Sequence, residues 1–246
     1  MIIFAPMKLD ILVFAAHPDD AEMSCSGTIL RAIKEGKKVG LVDLTRGELG
    51  TRGTYETRAE ESAVATNILG IHARENLELE DCFFDLGKEA QLKVISKIRK
   101  YRPEVVLANA IEDRHPDHGK GAKLVYEACF KAGLPKIETY DEQGNLQEAY
   151  RPSSLFHYIQ DRYIKPDFVV DITEYIDKKM EAVEAFKTQF YDEHSSEPQT
   201  YISKPDFLET LVGKNREYGK LLRNGTFAEG FTVNKIIEIQ DITKLF

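Results

Sequence analysis

At 246 residues with 42% hydrophobic content, the chain is long enough for one large α/β domain with a full core. A net charge of −8 speaks against nucleic acid or an anionic membrane surface as partner, so any cationic patch has to be local. Cys25, Cys82 and Cys129 are widely spaced and form no CxxC pair, which argues against a disulfide framework and against a thiolate zinc site. No apolar run approaches the ~20 residues of a membrane span. Met1 to Lys8 lacks a basic n-region, a long apolar core and a cleavage site, so a cytoplasmic protein is expected.

In chain order, Leu9 to Phe14 is a short apolar run of the kind buried in parallel sheets. His17-Pro18-Asp19-Asp20 follows it, and Thr28 to Glu35 predicts a helix stopped by Gly36. Lys38 to Thr45 is the second strand. The loop behind it, Arg46 to Thr54, spaces its glycines GxxGxxG; this is not a dinucleotide fingerprint, and it suits a long loop folded tightly over a site. Helical spacing runs from Tyr55 to Leu69 and from Glu89 to Tyr101, with a short strand at Glu75 to Leu77 between them. Val105 to Ala108 is a strand, followed by Asp113-Arg114-His115-Pro116-Asp117-His118 and a helix over Gly121 to Lys131. Gly133 to Pro152 is a surface excursion. Strands at Leu155 to Ile159 and Asp167 to Ile172 follow, then a Thr173-capped helix reaching Gln189 and a lid-length loop, Asp192 to Pro205. A helix over Asp206 to Leu222 and a strand near Lys235 to Gln240 close the chain. This alternation predicts a Rossmann-like, largely parallel sheet with helices on both faces, as one domain spanning 1–246.

Two clusters carry chemistry. Each lies just past the C-terminal end of a strand, the edge where open α/β sheets bind ligands. Either alone could be a turn capped by aspartate with a packed histidine; together on one edge they point to a metal site. Imidazole and carboxylate without thiolate suit Zn²⁺ in a site with an open position, and Fe²⁺ would accept the same donors. Asp19 and Asp20 are neighbours and cannot both point one way, so one binds metal and the other stays free as general base. Of His115 and His118, one completes the metal shell. The other, kept cationic by Asp117, supports an oxyanion. His72 and His157 read as structural or surface, and His194 as exposed in the lid.

The paired motifs resemble the LmbE/PIG-L family of zinc-dependent N-acetylglucosamine deacetylases. The likeness extends through Asp43 to Thr54, Arg58, Glu112-Asp113-Arg114, Pro166 to Ile172 and Ala228-Glu229-Gly230-Phe231. It implies that His17, Asp20 and His118 bind one zinc ion, that Asp19 is the base, and that His115, oriented by Asp117, stands beside the oxyanion. Arg58 would contact substrate. Within the family the nearest branch serves bacillithiol biosynthesis and deacetylates N-acetylglucosaminyl-malate. Relatives form hexamers, so a homo-oligomer is expected. One departure is Phe207, where relatives carry a site tyrosine; Tyr201 is the nearby substitute.

A dicarboxylate substrate needs local positive charge, for which Arg46, Arg52, Arg58 and Arg114 are available. Rival readings are a deacetylase or amidase for another N-acetylglucosamine derivative or thiol conjugate, a sugar-binding protein that keeps its metal, and a nucleotide-dependent oxidoreductase.

Overall fold

The computed structural model describes residues 7–239 together with Asp241 and Thr243. Residues 1–6 of the N-terminal stretch and Gln240 of the expected last strand lie outside the described residues. Strands β1 (Ile11–Ala15), β2 (Val39–Thr45), β3 (Ala73–Leu79), β4 (Val105–Ala108), β5 (Ser154–Tyr158), β6 (Phe168–Asp171) and β7 (Ala228–Val233) form a single sheet. Its order is β3-β2-β1-β4-β5-β7-β6. Pairings from β3 through β5 are parallel, and β7 runs antiparallel to both its neighbours, β5 and β6. Helices α1 (Asp20–Lys34), α2 (Tyr55–Leu69), α3 (Lys88–Tyr101), α4 (Pro116–Ala132), α5 (Ile176–Glu184) and α6 (Phe207–Gly219) cover the sheet.

Period-two alternation in β1 decides which helices pack where. Leu12 and Phe14 enter the core formed with Val94, Ile98, Leu124 and Val125 of α3 and α4. Val13 and Ala15 enter the opposite core with Ile29 and Leu30 of α1 and Leu69 of α2. The chain leaves β1 toward β2 on one side, while β4 flanks β1 on the other in register Ile11↔Val105 to Val13↔Leu107. The C-terminal ends of β1 and β4 are therefore adjacent, and the crevice between them is the topological switch point.

Three expected helix boundaries and the last strand move. The first helix begins at Asp20, not Thr28, because acids at Asp20 and Glu22 occupy its first turn, where the helix dipole favours them. The fourth begins at Pro116, its first-turn proline preset for helix, so the second motif is itself a helix N-terminus. The helix expected to reach Gln189 ends at Glu184. Beyond it, Glu61 captures the Thr188 amide at 2.7 Å and the Thr188 hydroxyl at 2.9 Å. The final strand is Ala228–Val233 and not Lys235 to Gln240. Its buried Glu229 hides the strand in an apolarity pattern, whereas Ile236 in the alternating stretch beyond is exposed.

Glu229 also explains how α1 is held. Its carboxylate accepts from the Gly27 and Thr28 amides at 2.9 and 2.7 Å and from the Lys179 ammonium at 2.6 Å. Both charged side chains are 0% exposed. Thus the last strand clamps the middle of the helix that carries the first motif.

Candidate metal centre and active site

The β1–α1 turn brings His17, Asp19 and Asp20 to the crevice. Asp19 sits at the helix N-terminus with φ 117°, a conformation that costs an L-residue on the order of 1–3 kcal/mol and persists where surroundings enforce it. The enforcement is visible: Arg58 of α2 donates to Asp19 Oδ2 at 2.7 Å and also to the Pro18 carbonyl. Burial pushes the Asp19 carboxyl up to about 7, against the pull of the Arg58 guanidinium.

Asp20 is the centre of the cluster. Its Oδ2 accepts from the His17 amide and from Asn109 Nδ2, each at 3.0 Å, and its Oδ1 accepts from Gln160 Nε2 at 3.0 Å. The same carboxylate lies 3.6 Å from His17 Nδ1 and 3.1 Å from His118 Nε2. Burial works to raise the Asp20 pKa, but the facing imidazoles His118 and His17 outweigh it and hold the group well below the usual carboxylate range.

The far nitrogen of each imidazole is already engaged. His17 Nε2 is 3.1 Å from Asp81 and 3.5 Å from Asp117, and His118 Nδ1 is 2.5 Å from Asp113. Burial opposes charge on both rings. The neighbouring acids nonetheless raise His17 well above its ordinary value and His118 to about 9. A carboxylate on the outer nitrogen is the usual device for aiming a ligating histidine. It leaves His17 Nδ1 and His118 Nε2 turned toward Asp20.

Among the described residues two donor groups have mutually close ligand atoms, within 4.8 Å: His17 with His115 and His118, and His17 with Asp81 and Asp117. The carboxylates of the second group, like that of Asp20, also accept protein donors. Asp81 Oδ2 accepts the Leu49 amide at 3.0 Å, and Asp117 accepts the Cys82 amide at 2.9 Å and Lys120 at 3.1 Å. The donors at Asp20 have the nitrogen–oxygen character and the outer carboxylates that a divalent ion requires, so the residues fit such an ion.

His115 caps α4, and its Nδ1 accepts the Asp117 backbone N–H at 3.3 Å. Here the structure departs from expectation. The Asp117 carboxylate faces His17 and Lys120, so it does not hold His115 cationic. Burial, then the charges of His17 and His118, lower the His115 pKa instead. With Nδ1 accepting, the neutral ring carries its proton on Nε2.

The arginines divide differently from expectation. Arg52 is buried and spends its guanidinium on Thr188 O, Pro198 O and Ser195 Oγ, tying the glycine loop to the 188–198 segment. Arg46 lies over the Tyr55 ring, and Arg58 serves Asp19. Arg114 lines the pocket, but it stacks on Tyr201 at 4.3 Å and binds Asp161 at 3.2 Å. Tyr201 gives its hydroxyl to Asp161 at 2.9 Å, while Phe207 stacks on Phe190. Gly47, at φ 66°, lets the loop lie on Arg58; a Cβ there would come within 2.7 Å of the guanidinium. Leu49, Gly50 and Thr51 from this loop, and Thr200, Tyr201 and Ile202 from the 192–205 segment, wall the site.

The remaining histidines are structural or peripheral. His72 accepts the Val39 amide, His157 is buried between Asn109 O and Asn234, and His194 is exposed. Asp81, Asn109 and Gln160 were not singled out by sequence. Each lies within two residues of the C-terminal end of a strand, β3, β4 or β5, which is the signal that could have found them.

Residues 12–129 match the family described as PIG-L, GlcNAc-PI de-N-acetylase. A diacetylchitobiose deacetylase of Thermococcus kodakarensis is 30% identical over 190 residues, 73% of this chain and 70% of that protein. A Bacillus anthracis protein named "Probable N-acetyl-alpha-D-glucosaminyl L-malate deacetylase 2" is 28% identical over 196 residues, 73% of this chain and 81% of its own. The crystal structure of a conserved protein from Thermus thermophilus superposes with a TM-score of 0.80 at 36% identity, covering 94% of this chain and 98% of that one.

Proposed function

Since the chain belongs to the PIG-L/LmbE family of deacetylases, we propose that it hydrolyses the acetamide of an N-acetylglucosamine derivative, with N-acetylglucosaminyl-malate as the first candidate substrate. The observation that carries this reading is the convergence of His17 Nδ1 and His118 Nε2 on Asp20, with the Asp19 carboxylate beside them. His17, Asp20 and His118 would hold one divalent ion, Zn²⁺ or Fe²⁺. When bound, that ion supplies Lewis acidity, polarising the acetamide carbonyl and acidifying water.

The chain's own groups do the proton work. Asp19 accepts the proton of the water that attacks the acetyl carbon, and its poise near neutrality suits a general base. Arg58 fixes the carboxylate in position and favours its ionised form. His115 donates its Nε2 proton toward the oxygen on which negative charge develops, its tautomer set by the Asp117 amide. As the C–N bond breaks, the proton taken up by Asp19 passes to the leaving amine, giving acetate and the free amino sugar.

The test is acetate release from N-acetylglucosaminyl-malate and a panel of other N-acetylglucosamine derivatives and thiol conjugates, before and after chelation and metal add-back. Activity lost on chelation and restored by metal supports the reading, and the ranking of the panel assigns the substrate. Asp19→Ala should keep the metal and lose hydrolysis. A metal-loaded protein that binds these sugars and releases no acetate would overturn it.

A further inference from the structure

A second cavity, of ≈ 140 Å³, adjoins the catalytic one and shares Met23, Arg114, His118, Tyr201 and Ile202 with it. Its lining includes the apolar side chains of Ile159, Phe207 and Leu211 and the ring of Tyr218. Lys214 of α6 lines this cavity, with its ammonium at 3.4 Å from the Ile159 carbonyl. That is a long contact for a charged donor.

The charges around the cavity are paired unevenly. Three carboxylates line it, and each is matched: Asp113 by His118 at 2.5 Å, Asp161 by Arg114 at 3.2 Å, Glu229 by Lys179 at 2.6 Å. Among the described residues Lys214 has no ion-pair partner, so it is the one lining charge left over. Burial accordingly holds its ammonium down to about 8, and Asp113 and Asp161 offset only part of that. A cation in an apolar pocket is costly unless an anion meets it.

We propose that Lys214 anchors a carboxylate carried by the substrate, making the cavity on α6 a subsite for an anionic arm. The proposal rests on the reading of the neighbouring cavity as the hydrolytic site and names a substrate class for it: N-acetylglucosamine derivatives bearing a carboxylate on a short apolar stem. Arg52, Arg58 and Arg114 already hold protein acceptors, whereas the Lys214 ammonium holds only the Ile159 carbonyl.

The experiment compares a carboxylate-bearing substrate, N-acetylglucosaminyl-malate, with the neutral methyl N-acetylglucosaminide in wild type, Lys214→Gln and Lys214→Arg. The ratio of their kcat/KM values should fall about 10- to 100-fold in Lys214→Gln, the size of a lost charge-assisted hydrogen bond, mostly through KM. It should recover partly in Lys214→Arg. A ratio unchanged in Lys214→Gln overturns the proposal. Thermal shift with free L-malate, read on the metal-loaded wild type and both variants, decides it independently of turnover. Stabilisation of the wild type and Lys214→Arg but not Lys214→Gln supports the anchor, and equal shifts in all three refute it. If neither substrate releases acetate, the hydrolytic reading fails while the malate shift still decides the role of Lys214.

Discussion

Replacing Arg58 by methionine removes the cation that holds Asp19 and leaves a side chain of similar reach. In the native site the guanidinium bonds Asp19 Oδ2 at 2.7 Å, and burial puts the carboxyl at about 7 in spite of it. An arginine at such range lowers a carboxylate pKa by about 1–3 units, so its loss should raise that of Asp19 by about as much. On the acidic limb each unit of that rise costs about tenfold in kcat/KM, so the loss there is roughly 10- to 1,000-fold. The sign is definite. The base must be ionised to act, so the acidic limb of the pH–rate profile moves upward and activity returns as the pH is raised. Any positive charge from a bound ion lowers both starting points and leaves their difference. The assay is acetate release from pH 5 to 10 with metal content measured in each sample. An Arg58→Met profile with the wild-type acidic limb, or a loss of activity that follows metal content, would refute the role given to this pair.

Asp113→Asn should weaken metal affinity about 10- to 100-fold by freeing the His118 ring, read by competition with a chromogenic chelator. Lys179→Met leaves Glu229 buried and uncompensated and should cost about 3–5 kcal/mol in denaturant unfolding, more than the charge-removing double variant Lys179→Met/Glu229→Gln. Glu75 is held at about 2 by Lys97, Tyr101 and Lys100 in spite of burial, below its ordinary 4.5. Its stabilising contribution is therefore fully present above pH 4.5 and disappears as the pH falls toward 2. The gap in unfolding midpoint between wild type and Glu75→Gln should close over that interval, and a gap independent of pH would contradict the assignment.

The parallel half of the sheet was legible because β1, β2 and β4 are short apolar runs ended by polar turns, and their order follows from β–α alternation. The two histidine–aspartate motifs were legible for the same reason: each is local in sequence and follows a strand. What escaped was everything assembled across the chain. Asp81 reaches His17 from a residue 64 positions away, and Gln160 reaches Asp20 across 140. No spacing rule announces such partners. Asp113 lay within a quoted motif, yet its aim at His118 depends on the turn into α4. The partners of Asp117 were hidden in the same way: its carboxylate reaches His17 from another loop, and its backbone amide is what meets His115. The last strand was misplaced because a buried ion pair replaces the apolar pattern there.

The clamp on α1 ties the helix of the first motif to a late part of the chain. The acid that grips Gly27 lies 202 positions downstream, so a nascent chain that has already exposed every proposed ligand still lacks the brace beneath the first of them. At roughly 5–20 residues per second, the interval between emergence of His118 and of Glu229 is on the order of 5–20 s. During that window the donors exist without their final geometry, and a cation captured early would be held by an unfinished cage.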